Sequence, residues 1–301
     1  MTSKNTTSLI IIGAGPIGLE TALYARQCGF RVTVLEKGEV GDHLRRWQHI
    51  TLFSPFGMNA TPLGRHTVQQ QGATLPEDDA YLTAGEYLER YLLPLASTEA
   101  LQPCIHTGWE VLAIGRKGLL KGEHIGNGRR RSHPFKILAR NATGEERIFT
   151  ADGVIDASGT FGNPNYLGEG GIPAIGELPH ASRIRYDLPD IAGADRLTYR
   201  GKTTLVVGSG HSAGNTLVGF RPLFADDPDT RVIWVIREDR KHPLVEIPDD
   251  PLAERARIVR EANALADHPQ VHLIRSGHVT ALHYHEGTDR FSVDIDTPEG
   301  Q

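Results

Sequence analysis

Gly13, Gly15 and Gly18 stand at the G-x-G-x-x-G spacing immediately after the apolar run Leu9-Ile10-Ile11-Ile12. The chemistry open to such a loop is anion binding. Glycine at 13 permits a tight turn out of a strand, glycine at 15 lets a pyrophosphate approach the backbone, and glycine at 18 lets the next helix pack close. That helix begins at Pro16, and its N-terminus offers unpaired N–H groups and a partial positive charge to phosphates. A second run, Val32-Thr33-Val34-Leu35, ends in Glu36, 18 residues after Gly18. An acidic side chain there meets a ribose hydroxyl pair. The loop is expected to hold the ADP half of a dinucleotide.

The pattern recurs. Gly208, Gly210 and Ala213 follow Leu205-Val206-Val207, with Ser209, His211 and Ser212 filling the motif. The next strand-like run, Val232–Ile236, ends in Arg237 rather than in an acid. Arginine suits a 2′-phosphate, which a carboxylate would repel. Arg240 and Lys241 add positive charge nearby, and Glu238 and Asp239 oppose it. NADP is therefore expected here over NAD.

Each loop needs a buried strand before it and a helix after it, so the predicted class is α/β, with two Rossmann-like dinucleotide-binding domains. The expected bounds are 1–165 for an FAD-binding domain, 166–200 for a proline- and glycine-rich linker, and 201–301 for an NAD(P)H-binding domain. Within the first, Thr83 caps a helix over 83–97 whose apolar face is Tyr87, Leu88, Tyr91, Leu92 and Leu95, with Pro94 expected to kink or end it. Strand-like runs at 110–114, 135–139 and 147–150 predict an antiparallel meander inserted at about 109–150. A buried strand over 153–160 ends in small residues. The tail predicts a helix over 251–266, a strand at 271–274 and a hairpin from about 278 to 296.

A length of 301 residues suits about two domains. The formal net charge of −5 gives no argument for nucleic acid or anionic membrane. Arg129-Arg130-Arg131 reads as a solvated hairpin tip. No stretch reaches the ~18 apolar residues of a membrane span. The N-terminus runs directly into the first strand, with no room for a signal peptide, so a cytoplasmic location is expected. Cys28 and Cys104 form no C-x-x-C pair; a local redox dithiol is excluded, and both thiols are expected to be buried. His283 and His285 share a strand face beside Glu286 but lack further ligands at a credible spacing, so no metal is expected.

Taken together, these residues resemble the two-dinucleotide-binding flavoproteins, and within them the flavin-containing monooxygenase group and its bacterial relatives. Gly13 to Glu36 is similar to the FAD fingerprint and Gly208 to Ala213 to the NADPH fingerprint. Gly41–Trp47, with Leu52–Pro55 beyond it, resembles the loop that runs past the flavin, and Ala157-Ser158-Gly159 the family's Ala-Thr-Gly step. The resemblance implies that Glu36 and Lys37 line the FAD adenosine, with Arg45, Arg46, Val111, Ser158 and Gly159 as further cofactor contacts. It likewise implies that Ser209, His211 and Ser212 line the NADP pyrophosphate. Trp47, Ser54 and Asn59 are the candidate catalytic residues beside the isoalloxazine.

Three departures accompany the match. Phe53 precedes Ser54-Pro55 where the family usually has an asparagine. The linker signature is only loosely echoed by His180–Tyr186. The C-terminal segment that closes the FAD domain is expected to be missing. The implied function is an NADPH- and FAD-dependent monooxygenase of a small organic substrate, with O₂ as acceptor. A flavoprotein reductase without a dithiol, or a degenerate nucleotide-binding protein, are the alternatives.

Overall fold

The computed structural model describes residues 6–300. The chain forms two compact units. One comprises the residues up to Gln48 together with Ser54–Thr160; the other comprises His49–Phe53 and the residues from Phe161 onward.

The first unit contains, in chain order, β1 (Ser8–Ile12), α1 (Pro16–Gln27), β2 (Arg31–Leu35), α2 (Asp42–Arg46), α3 (Phe56–Asn59), α4 (Pro62–Gln70), α5 (Ala84–Tyr87), α6 (Leu93–Ala96), β3 (Ile105–His106), β4 (Trp109–Arg116), β5 (Phe135–Asn141), β6 (Glu146–Ala151) and β7 (Gly153–Asp156). Strands β3, β2, β1 and β7 form a parallel sheet in that order. Its central strand β1 pairs Ile12 with Leu35 on one side and with Asp156 on the other. The predicted meander is β4-β5-β6, antiparallel throughout. Ile137, Ala139 and Ala151 from its inner face share one core with Ile10 and Leu35. Arg129–Arg131 lie in a turn between β4 and β5, with Arg129 and Arg131 exposed and Arg130 half-buried, donating to the Glu123 carbonyl at 2.7 Å.

The helix expected over 83–97 forms with a local change. Thr83 and Glu86 make the capping box, and the five predicted apolar residues are all buried. Between α5 and α6, residues Leu88–Leu92 widen into a π turn in which the Leu93 N–H donates to the Leu88 carbonyl, five residues back. Pro94 has no N–H for the Arg90 carbonyl. The wider turn takes the chain past this gap without a break.

The second unit contains α7 (Arg196–Tyr199), β8 (Thr203–Val207), α8 (His211–Asp226), β9 (Arg231–Val235), α9 (Ala253–Ala264), β10 (Val271–Ile274), β11 (His278–His285) and β12 (Arg290–Asp296). Strands β10-β9-β8 form a parallel sheet, and β11-β12 an antiparallel hairpin. Leu217, Phe220 and Leu223 of α8 and Ala262 of α9 pack with Trp234 and Ile236 to form the core.

Residues 166–200, expected as a connection, belong by their contacts to this second unit. A buried carboxylate organises them. Glu177 accepts from the N–H groups of Leu167 (3.0 Å) and Ala174 (2.8 Å) and from the Tyr186 hydroxyl (2.7 Å). Burial, reinforced by that bond, pushes the Tyr186 phenol up. The Ile175 N–H then joins this segment to β11 through the Thr280 carbonyl at 3.0 Å.

Among the described residues no helix is long and apolar enough to cross a membrane, and no group of three or more His, Cys, Asp or Glu side chains could hold a metal. His283 lies 3.7 Å from Asp294, and His285 shares a 2.7 Å hydrogen bond with Ser292 across the hairpin.

Candidate functional site

The first glycine loop shows three different reasons for its glycines. Gly13 has φ +102°, and a Cβ there would lie 2.6 Å from the Ala157 carbonyl oxygen. A Cβ on Gly18 would overlap the Gly13 carbonyl itself, so the close approach is to the turn rather than to the strand. Gly15 differs: a Cβ there would meet nothing within 4 Å. It faces open space while capping α1 with no side-chain acceptor for the helix's first N–H groups. That combination leaves open space at a helix N-terminus, the feature by which such ends receive anions.

Glu36 sits at the edge of this loop. Its two oxygens accept from the Ala14 N–H at 2.7 Å and the Gly38 N–H at 2.8 Å. Each oxygen retains a second lone pair. The Gly41 N–H donates to the Ala14 carbonyl at 3.1 Å, which ties the start of α2 to the same turn. Arg45 and Arg46 lie exposed on α2, and Arg46 pairs with Asp42 at 3.1 Å. Lys37 is exposed and pairs with Glu110 at 2.7 Å; the bonds from Lys37 and then Arg140 hold the Glu110 carboxyl below its ordinary range. Val111 packs on the meander core. Ser158 donates to Asp156 through its hydroxyl (2.6 Å) and its N–H (3.0 Å), lowering the Asp156 carboxyl, and Gly159 turns away with φ +71°.

The three candidate catalytic residues occupy one stretch but not one arrangement. Trp47 is half-buried at the end of α2. Ser54 and Asn59 bind each other: the Ser54 hydroxyl donates to Asn59 Oδ1 at 2.8 Å, and Asn59 Nδ2 donates to the carbonyls of Ser54 (2.9 Å) and Pro55 (3.1 Å). Two buried tyrosines support that loop. Tyr87 donates to the Asn59 carbonyl at 2.8 Å, and Tyr91 donates to Glu20, which also accepts from the Thr61 hydroxyl at 2.6 Å. Burial and then the bond to Glu20 push the Tyr91 phenol up. This Glu20 network carries no motif, and its one signal is a glutamate on the inward face of α1.

In the second loop, Gly208 has φ +119° and its carbonyl accepts from the buried indole N–H of Trp234 at 2.8 Å. Gly208 and Gly210 both face open space, and Ala213 is buried. His211 and Ser212 are exposed at the start of α8, where the Phe53 ring meets the His211 ring edge-on at 5.2 Å. Arg237 is exposed. The side chain that reaches the loop is its neighbour Glu238, which accepts from the Ser209 hydroxyl at 3.2 Å. Also unforeseen is Asp250, gripped by Arg255 Nη2 at 2.7 Å and Nε at 2.8 Å. The Arg255 bonds, aided by the Leu252 N–H and the charge of His211, lower the Asp250 carboxyl to about 2.

The thiols differ from expectation in one case. Cys104 is buried, but Cys28 is exposed because it is the residue that terminates α1.

Residues 10–120 match the family described as pyridine nucleotide-disulphide oxidoreductases. No curated protein matches the chain. Among solved structures, the chain is similar to the bacillithiol disulfide reductase of Bacillus cereus, at 18% identity and a TM-score of 0.68, over 97% of this chain and 76% of that one. The corresponding reductase of Staphylococcus aureus gives 17% identity and a TM-score of 0.60, over 97% and 74%. An FAD-bound cadaverine monooxygenase of desferrioxamine biosynthesis from Erwinia amylovora gives 15% identity and a TM-score of 0.59, over 97% and 76%. With two parallel sheets, each opening into a glycine loop and a helix, the chain has the fold of the two-dinucleotide-binding flavoproteins.

Proposed function

We propose that this protein is an FAD- and NADPH-dependent oxidoreductase, with FAD at the first glycine loop and NADPH at the second, that oxygenates a small organic substrate. The observation that carries the two-cofactor reading is the repeated cradle: a positive-φ glycine at each strand end, followed by a glycine whose missing Cβ leaves open space at a helix N-terminus. The family match over 10–120 and the FAD bound in the monooxygenase relative support it.

When bound, the flavin would supply two-electron chemistry between the nicotinamide and O₂, with one oxygen atom entering the substrate and the other leaving as water. The chain's part is positioning. The α1 N-terminus would hold the FAD pyrophosphate, and Glu36, fixed by two backbone N–H groups, would accept from the adenosine ribose. Ser209, His211 and Ser212 receive the NADPH pyrophosphate, with Arg237 on the 2′-phosphate side. Trp47, Ser54 and Asn59 border the flavin.

One observation favours a second reading, a reductase that passes electrons to another acceptor. Phe53 stands where the monooxygenase group has an asparagine, and the amide of Asn59 is engaged entirely within its own loop. With one exposed and one buried cysteine, such a reductase would work without an internal dithiol.

The test is spectroscopic and then kinetic. Purified protein should be yellow, and NADPH should bleach it under anaerobic conditions faster than NADH. In air, substrate-stimulated NADPH oxidation with matching O₂ uptake and an oxygenated product supports the first reading. Anaerobic turnover with an artificial acceptor, with no oxygenated product in air, selects the second. Protein that retains no flavin under saturating FAD overturns both.

A further inference from the structure

The turn Arg275-Ser276-Gly277, just past β10, grips the loop after β9 at successive points. The Gly277 N–H donates to the Ile236 carbonyl at 3.0 Å and the Ser276 N–H to the Glu238 carbonyl at 3.4 Å. The Arg275 guanidinium reaches further along: Nε donates to the Arg240 carbonyl at 2.8 Å and Nη2 to the Lys241 carbonyl at 3.5 Å. Ser276 adopts φ +50°, a left-handed conformation uncommon for a residue other than glycine. Such residues persist where the surroundings impose a geometry, and they gather at functional sites. Gly277 seats the turn tightly, since a Cβ there would lie 2.8 Å from Val235 Cγ1.

The charge arrangement is unusual in the same place. Arg275 is half-buried, yet its hydrogen bonds go to two neutral carbonyls. Among the described residues no carboxylate pairs with Arg275, Arg237 or Lys241, and Arg240 meets only Glu238, at 3.9 Å. Four cations therefore face two carboxylates, Glu238 and Asp239, on one short loop and the turn beneath it. The excess positive charge matches a phosphomonoester dianion. Arginine suits this task because its planar fork can clamp two carbonyls while its charge stays available to a ligand.

We propose that Arg275 is a positioning residue for cofactor choice: it fixes the Arg240–Lys241 backbone and adds uncompensated charge, so that this loop takes the 2′-phosphate of an adenosine ribose. The proposal rests on the NADPH reading given above and goes beyond it by assigning the selectivity to a side chain outside the loop.

Isothermal titration of the full chain with 2′,5′-ADP and with 5′-AMP tests it without turnover. The wild type should bind 2′,5′-ADP at least tenfold tighter than 5′-AMP. Arg275→Gln should lose most of that ratio while its 5′-AMP affinity stays within twofold. Arg275→Lys, which keeps the charge but not the fork, should recover only part of the ratio, and it serves as the test variant if Arg275→Gln does not fold by circular dichroism. A wild type without preference overturns the NADPH reading itself. A wild-type preference that survives in Arg275→Gln, or an equal loss of both ligands, overturns the role of Arg275 and leaves the NADPH reading standing.

Discussion

Gly15→Ala should leave the apoprotein folded and remove tight FAD binding, whereas Gly13→Ala should damage the fold itself. Gly15 has φ −81° and ψ −175°, which any L-residue adopts, and an added Cβ meets nothing within 4 Å. At this capping position the stability change should stay at or below about 1 kcal/mol. Gly13 is different. Its φ of +102° costs a side-chain-bearing residue about 1–2 kcal/mol. A Cβ placed 2.6 Å from the Ala157 carbonyl adds overpacking of about 1–3 kcal/mol, so the total is about 2–5 kcal/mol. On the binding side, a methyl group in the Gly15 opening holds the pyrophosphate off the helix N–H groups. Losing one hydrogen bond to a charged group is worth about 1.5–3 kcal/mol. At 1.4 kcal/mol per decade, the FAD dissociation constant should rise about 10- to 150-fold. Urea unfolding of the apoproteins, followed by circular dichroism, gives the first quantity, and quenching of flavin fluorescence on titration gives the second. Wild-type FAD affinity in Gly15→Ala would refute the cradle, and so would an apoprotein as unstable as Gly13→Ala.

Three further outcomes follow from the geometry. Glu177→Ala strands the N–H groups of Leu167 and Ala174 and the Tyr186 hydroxyl, at about 1–3 kcal/mol for each buried group left unpaired; the fluorescence of Trp234, the second unit's one tryptophan, should report unfolding at lower urea. Asp250 has its carboxyl depressed to about 2 by Arg255, so the pair's contribution to stability is complete above the unfolded value near 4 and disappears as pH falls toward 2. Urea midpoints measured from pH 5 down to 2 should fall less steeply in Asp250→Asn than in the wild type. A Cβ on Gly64 would overlap the Tyr91 hydroxyl and press on Glu20, so Gly64→Ala should cost about 1–3 kcal/mol, and the double variant with Tyr91→Phe should be less unstable than the sum of the two single variants.

The fold was legible wherever a short local pattern determines an element. Leu9–Ile12 and Leu205–Val207 announce parallel strands by unbroken apolar runs, and Gly13 and Gly208, which follow them, are demanded by their positive φ. The meander and the 83–97 helix follow from periodicity in the same way. What periodicity does not contain is compensation at a distance. Pro94 announces an interruption of the helix, but not that the chain passes it by a π turn at Leu88–Leu92. Residues 166–200 read as a connection because proline and glycine punctuate them; the single buried carboxylate of Glu177, which gathers them, has no neighbours in sequence to announce it.

The candidate sites divide along the same line, and the division bears on chemistry. Both loops carry a carboxylate bonded at their edge, Glu36 at the first and Glu238 at the second. Glu36 was legible from its spacing, and its two backbone N–H partners, at 2.7 and 2.8 Å, leave it one orientation. On the proposed reading its contact with a ribose would be preorganised, needing no rearrangement of the acid. Glu238 was read only as opposing charge. It is held by one hydroxyl at 3.2 Å and by Arg240 at 3.9 Å, which are weaker restraints on a half-buried side chain. A 2′-phosphate arriving at Arg240 competes with Glu238 for the same cation, and the loser is the carboxylate that carries one charge against the phosphate's two. On the proposed reading the first loop is set for one nucleotide, while at the second a 2′-phosphate is favoured to the extent that Arg275 and the cations it positions outweigh Glu238.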